Sequence, residues 1–176
     1  MIFEGTPIAG AFRIQPQRLA DDRGFFARVF CIEEFRQHGL RTEVCQSSVS
    51  YNVAAGTVRG MHWQAAPHGE CKLVRCIRGI VWDVILDVRP ASVSYRRWWS
   101  IELSEDNGTM LYVPEGVAHG FLTLAPFSEV EYVMSDPYIA DAARGIRWDD
   151  PGFGIEWPEA PVVISERDRS YPNHRP

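Results

Sequence analysis

Between Phe25 and Met134 the chain is cut into short β-branched and aromatic runs, each closed by Gly, Pro, Asp or Asn. Such runs are too short for helices, and a series of them at regular spacing closes into a β-barrel or a double-sheet jelly roll. The expected strands are Phe25 to Phe30, Val44 to Ser50, Thr57 to Gln64, Lys72 to Ile77 and Ile80 to Val88. Tyr95 to Leu103, Met110 to Val113, Gly120 to Leu124 and Val130 to Met134 complete the series. Cys31 to His38, closed by Gly39, is the one good early helix. The tail from Asp136 is rich in Pro, Gly and Trp and is expected to wrap the barrel as loops and short turns. The fold class is all-β, and 176 residues make one domain, 1–176, with enough chain for a core.

Arg78-Gly79 reads as a two-residue hairpin turn with Gly at positive φ. That register puts Val74 opposite Asp83 and Lys72 opposite Ile85, with Lys72 and Asp83 diagonal neighbours on one face. Along the second strand Asp83 and Asp87 share a face, and Trp82, Val84, Leu86 and Val88 share the other. The polar face either meets solvent, as antiparallel sheets commonly allow, or lines a polar interior. Asp83 is assigned to holding Lys72.

Thr57-Val58-Arg59-Gly60-Met61-His62-Trp63-Gln64 and Cys71-Lys72-Leu73-Val74-Arg75 bring an imidazole, an ammonium and guanidinium groups close in sequence. Charged groups are avoided on buried sheet faces unless they are paired. A base that titrates near neutrality beside fixed cations suits proton transfer on an anionic substrate. A satisfied structural histidine and a surface lysine are the plainer readings of His62 and Lys72.

The net charge of −5 argues against a nucleic-acid partner, which calls for a basic stripe, but leaves room for an anionic small ligand held by local arginines. Cys31, Cys45, Cys71 and Cys76 form no C-x-x-C pair and are expected to be reduced, mostly buried thiols of a cytoplasmic protein. The start, MIFEGTPIAGAF, lacks the basic and apolar regions of a signal peptide, and no apolar run approaches the roughly 20 residues of a membrane helix.

Gly108, Pro114, Gly116 and His119 match the second cupin motif, whose histidine is a ligand in metal-binding cupins. The first motif should supply His-x-His, but this chain has His62-Trp63-Gln64. His68 and Glu70 lie at the wrong spacing, so no metal is expected; a stable site needs about three protein ligands.

Five segments now form a pattern: Asp22-Arg23-Gly24-Phe25-Phe26, Arg59 to Gln64, Lys72 to Arg75, Pro114 to Phe121 and Ser165 to Arg169. In this order they closely resemble the dTDP-4-dehydrorhamnose 3,5-epimerase family over nearly the whole chain. The resemblance implies a cupin-type jelly roll, a homodimer, no cofactor, and epimerisation of a nucleotide-diphosphate-linked 4-keto-6-deoxyhexose. It makes His62 the base, Asp168 its partner, Lys72 the cation near the keto group and Tyr132 the acid on the opposite side. Arg23, Arg59 and His119 fall where the family grips the diphosphate, Phe26 falls in the same substrate-binding segment as Arg23, and Gln46 and Tyr138 fall at sugar contacts. The chemistry fits these types. Imidazole, with a pKa of about 6.5, removes a proton beside a ketone near neutrality. A carboxylate fixes its tautomer, a cation stabilises the enolate, and a phenol can reprotonate the other face.

Two positions depart from the family pattern. Ser48 replaces an amide in Gln46-Ser47-Ser48-Val49-Ser50, and Arg28 stands where a carboxylate commonly accepts the thymine N–H. Arginine has donors only. Either Arg28 reads a base with an acceptor on that edge, such as cytosine in a CDP-sugar, or it turns outward. Whether carbon 3, carbon 5 or both invert stays open. The competing classes are a metal-dependent cupin isomerase or oxygenase and a non-catalytic nucleotide-sugar-binding cupin.

Overall fold

A computed structural model describes Met1–His174. In chain order the strands are β1 (Ile2–Gly5), β2 (Phe12–Gln15), β3 (Arg18–Asp21), β4 (Gly24–Ala27), β5 (Gln46–Asn52), β6 (Thr57–Gln64) and β7 (Lys72–Arg78). They continue as β8 (Ile80–Asp87), β9 (Trp98–Ser104), β10 (Met110–Val113), β11 (Val117–Thr123), β12 (Ser128–Met134), β13 (Ala143–Gly145) and β14 (Val163–Ile164). The α-helices are α1 (Ile32–Gln37) and α2 (Glu166–Ser170). One sheet runs β1-β2-β10-β7-β12-β5, the other β13-β6-β11-β8-β9 with β14 added to β6, and β3–β4 is a separate hairpin. This is the expected all-β, cupin-type sandwich. Most predicted strands recur with ends moved by a few residues. Tyr95 to Arg97 fall outside β9, Val44 and Cys45 outside β5, and Arg28 to Phe30 outside β4, which closes at Ala27. The short β1–β3, β13, β14 and α2 lack a periodic signal long enough to be read in advance.

The interior follows the period-two alternation of strands. Val74 and Cys76 of β7, Val81 and Ile85 of β8, and Phe121 and Val130 meet between the sheets in one buried cluster. The outer face of the first sheet packs Leu73, Met110 and Tyr112 under Phe35 of α1. The outer face of the second packs Val84, Leu86 and Ala118 under Ile146 and Phe153 of the tail, which does wrap the barrel. β8 is therefore buried on both faces: Asp83 and Asp87 are 0% exposed, and the solvent reading of their face is wrong. Asp87 accepts from Arg89, Ser92 and Ser94. Burial alone would raise its pKa, but these donors hold it down at about 2.

The β7–β8 hairpin does not form. Gly79 has the expected positive φ of 76°, yet β7 pairs β10 and β12 while β8 pairs β9 and β11. Val74 lies opposite Leu111 and Tyr132, not Asp83. A tight turn reverses the chain without obliging its flanks to pair, and at a sandwich corner they enter different sheets. Of the cysteines, all free, only Cys71 and Cys76 are buried; Cys45 is exposed and Cys31 half-buried. No helix among the described residues is long and apolar enough to cross a membrane.

Candidate active site

A cavity of about 660 Å³ opens between the sheets, with Phe121 and Tyr132 at its boundary with the apolar core. Strand alternation delivers most of its polar lining, and the irregular register between β6 and β11 brings Arg59 and His62, three residues apart, to the same side. Gln46, Ser48 and Ser50 come from β5, Arg59 and His62 from β6, Lys72 from β7, His119 from β11, and Tyr132 and Met134 from β12. Tyr138, Arg167 and Asp168 close one side. Where β6 crosses β11, a Cβ on Gly60 would stand 2.5 Å from the Gly120 Cα. Only paired glycines allow this approach, which sets His62 directly opposite His119 in the ladder.

His62 Nε2 lies 2.6 Å from Asp168 Oδ1. The other Asp168 oxygen accepts the Gly60 N–H, and Ser165 caps α2 by accepting the Asp168 N–H. Burial pushes the Asp168 carboxyl up, but the His62 hydrogen bond, its charge and the Gly60 N–H outweigh it and hold the pKa below the carboxylate range. An ionised carboxylate only accepts, so Nε2 carries the hydrogen and Nδ1 is the basic nitrogen. The His62 side chain is 37% exposed, which leaves it a route to exchange its proton with water.

Tyr132 stands on the opposite sheet. Burial, with the nearby Asp83 charge, pushes its phenol well above the ordinary value, so it holds its proton at neutral pH; Ser50 and Arg59 oppose the shift. Its hydroxyl is 3.3 Å from that of Ser50. His119 is tied to Asp83 at 2.9 Å, and burial raises the Asp83 carboxyl against the pull of His119 and Lys72. Asp83 therefore holds His119, and the assignment of Asp83 to Lys72 is corrected: Lys72 pairs with Glu70 at 3.0 Å.

Asn52 accepts from Arg59 Nε at 2.7 Å and aims that guanidinium along the wall. Among the described residues neither Arg59 nor Arg167 forms an ion pair, so two cationic groups face the cavity uncompensated. The sequence presents Glu70 only as a mis-spaced metal ligand and gives Arg167 no role. Glu70 sits two residues before Lys72 in the loop that leads into β7, and Arg167 precedes Asp168 in a cluster that otherwise reads as solvated.

Arg23, Phe26 and Arg28 do not reach the cavity of their own chain. The β3–β4 hairpin pairs only with itself and projects outward. Arg23 bonds Asp21, Phe26 is 70% exposed, and Arg28 pairs with Glu34 at 3.1 Å. Gln64, where the metal motif has histidine, donates to Glu70 and accepts from the Ile139 N–H. Among the described residues no three His, Cys, Asp or Glu side chains converge as a metal site.

A carboxylate-backed imidazole and a protonated phenol line one cationic pocket of a cupin-type fold, an arrangement that can take up and hand over protons. A family model for dTDP-4-dehydrorhamnose 3,5-epimerase matches residues 5–175. The chain is 43% identical over 174 residues to the Sinorhizobium fredii dTDP-4-dehydrorhamnose 3,5-epimerase, covering 98% of this chain and 89% of that one. It is 40% identical over 173 residues to the Methanothermobacter thermautotrophicus enzyme of that name, covering 96% and 92%. The crystal structure of the Bacillus anthracis dTDP-4-dehydrorhamnose 3,5-epimerase with TDP and PPi bound matches with a TM-score of 0.94 at 36% identity, covering 97% of this chain and 98% of that one. The chain belongs to the dTDP-4-dehydrorhamnose 3,5-epimerase family and is an isomerase.

Proposed function

We propose that this chain inverts carbons 3 and 5 of a dTDP-linked 4-keto-6-deoxyhexose. The observation that carries the reading is His62 of one sheet held at 2.6 Å by Asp168 of α2, with Tyr132 on the other sheet, around one cavity. His62 Nδ1 takes the proton from the carbon beside the ketone. The released electron pair moves onto the ketone oxygen, where the Lys72 ammonium stabilises the enolate. The enolate then collapses, its carbon takes the Tyr132 proton from the opposite face, and imidazolium and phenolate exchange protons with water to restore the site. Arg59 and Arg167 supply charge for the diphosphate, and guanidinium suits phosphate through paired hydrogen bonds.

Relatives named for a dTDP-sugar support the thymine nucleotide, and so does the Glu34 ion pair that engages Arg28. NMR in heavy water tests both points. The dTDP-linked 4-keto-6-deoxyglucose is expected to gain deuterium at carbons 3 and 5, with kcat/KM at least about tenfold above that of the CDP form. Exchange at one carbon only would reduce the reaction to a single inversion, and preference for CDP would overturn the nucleotide.

The same reading includes a homodimer. The hairpin exposes Leu19, Phe25 and Phe26, and the outer face near β5 exposes Val49, Tyr51, Val53 and Phe127. Exposed apolar side chains of this kind support an interface. A second copy seated there would receive Arg23 and Phe26 at the mouth of its cavity as substrate contacts, while Arg28 stays with Glu34 of its own chain. Co-expression of Arg23→Ala and His62→Ala chains then regains roughly a quarter of wild-type activity, because half of the dimers are mixed and each mixed dimer has one intact site. No recovery in verified mixed dimers would mean that each chain uses its own Arg23.

A further inference from the structure

Resting on the epimerase reading above, we infer that Glu70 is a positioning residue for Lys72, and that Gln64 braces it. Glu70 and Lys72 stand on either side of Cys71 and are both buried, with side-chain exposures of 7% and 9%. Glu70 Oε1 receives the Lys72 ammonium at 3.0 Å, and the ammonium also donates to the His62 carbonyl at 3.3 Å. Glu70 Oε2 accepts from Gln64 Nε2 at 2.9 Å. That amide nitrogen also donates to the carbonyls of His68 and Pro137, and the Gln64 oxygen accepts the Ile139 N–H at 2.6 Å. Gln64 thus ties β6 to the loop that carries Glu70 and to the segment that carries Tyr138.

The chemistry gives this network a purpose. Lysine is a point charge on a flexible four-carbon stem, and its value to an enolate depends on where the charge stands. Two buried carboxylates compete for it. Asp83, 0% exposed and held by His119, attracts Lys72 from deeper in the sandwich. Glu70 holds the ammonium beside the His62 carbonyl instead, on the strand that carries the base. Without the Glu70 charge, the ammonium is drawn toward Asp83 and leaves the position it needs over the ketone oxygen. Glu70 need not touch substrate; it acts through Lys72.

Glu70→Gln keeps the side-chain shape and can still accept from Gln64. Proton exchange and inversion of dTDP-linked 4-keto-6-deoxyglucose are measured in wild type, Glu70→Gln, Lys72→Met and the double variant, with binding of dTDP alone as the check that the pocket is formed. The expected result is a kcat about 30-fold below wild type in Glu70→Gln, with KM within about threefold. In the Lys72→Met background the same change costs less than about twofold, because its effect passes through the missing lysine. A kcat within about threefold of wild type, or an equal loss in both backgrounds, overturns the inference. Should Glu70→Gln not fold, Glu70→Asp serves: it keeps the charge but pulls the ammonium by one methylene, and normal turnover would equally overturn the role. A wild-type protein that exchanges no proton refutes the epimerase reading itself, a different outcome from an active wild type with an indifferent Glu70.

Discussion

His62→Ala loses proton exchange and inversion together, with kcat down by about 10³-fold, while affinity for dTDP stays within about twofold. On the proposed reading His62 starts the reaction, and nothing downstream proceeds without the enolate. Asp168→Asn in the same background adds little, because the two side chains act as one unit through a 2.6 Å hydrogen bond. The stability effect has a definite sign. Asp168 has a folded pKa below its ordinary value, so the stabilisation is present above that ordinary value and is lost as pH falls through the folded one. At neutral pH it is fully present, and His62→Ala removes part of it. Deuterium incorporation and calorimetric binding of dTDP separate the two effects. A histidine variant that turns over normally would remove His62 as the base.

Tyr132→Phe separates exchange from inversion. His62 still takes the proton and, being 37% exposed, trades it for solvent deuterium before returning it to the same face. Substrate therefore gains deuterium without changing configuration. Inversion falls by about 10² to 10³-fold, while exchange stays within about tenfold of wild type. The phenol suits this role because burial keeps it protonated until the enolate forms and Ser50 is its hydroxyl partner. NMR that follows configuration and deuterium content at each carbon reads both rates. Inversion at the wild-type rate in Tyr132→Phe would assign the second proton to another donor.

Much of the site was legible before any fold was known. His62, Lys72, Tyr132, Arg59, His119, Gln46, Ser48, Tyr138 and Asp168 were all marked, and all line one cavity. Their order along the chain resembles one family, and strand alternation alone puts Lys72 on the inward face with Val74 and Cys76. Glu70 reads in the sequence only as a mis-spaced metal ligand, because it lies in a Pro-Gly loop ahead of β7, where no strand period ties it to Lys72. Arg167 was hidden in a run of charges, where neighbours of both signs ordinarily mean a solvated surface. Arg28 looked free to read a base because nothing in its local sequence marks Glu34 as its partner.

By itself, the sequence determined the all-β class, which residues share a face along most strands, and the set of reactive groups offered to the interior. Those follow from a two-residue period and from local turn chemistry, which act over a few bonds. Only the tertiary structure decided which strands pair. It sent β7 and β8 into different sheets, gave Asp83 to His119 and Glu70 to Lys72, buried Asp87 under Arg89 and its serines, and left the Arg23 hairpin outside its own cavity. Pairing is settled by non-local hydrogen bonds and by the apolar area that two distant segments bury together, and neither is written in the residues on either side of a turn.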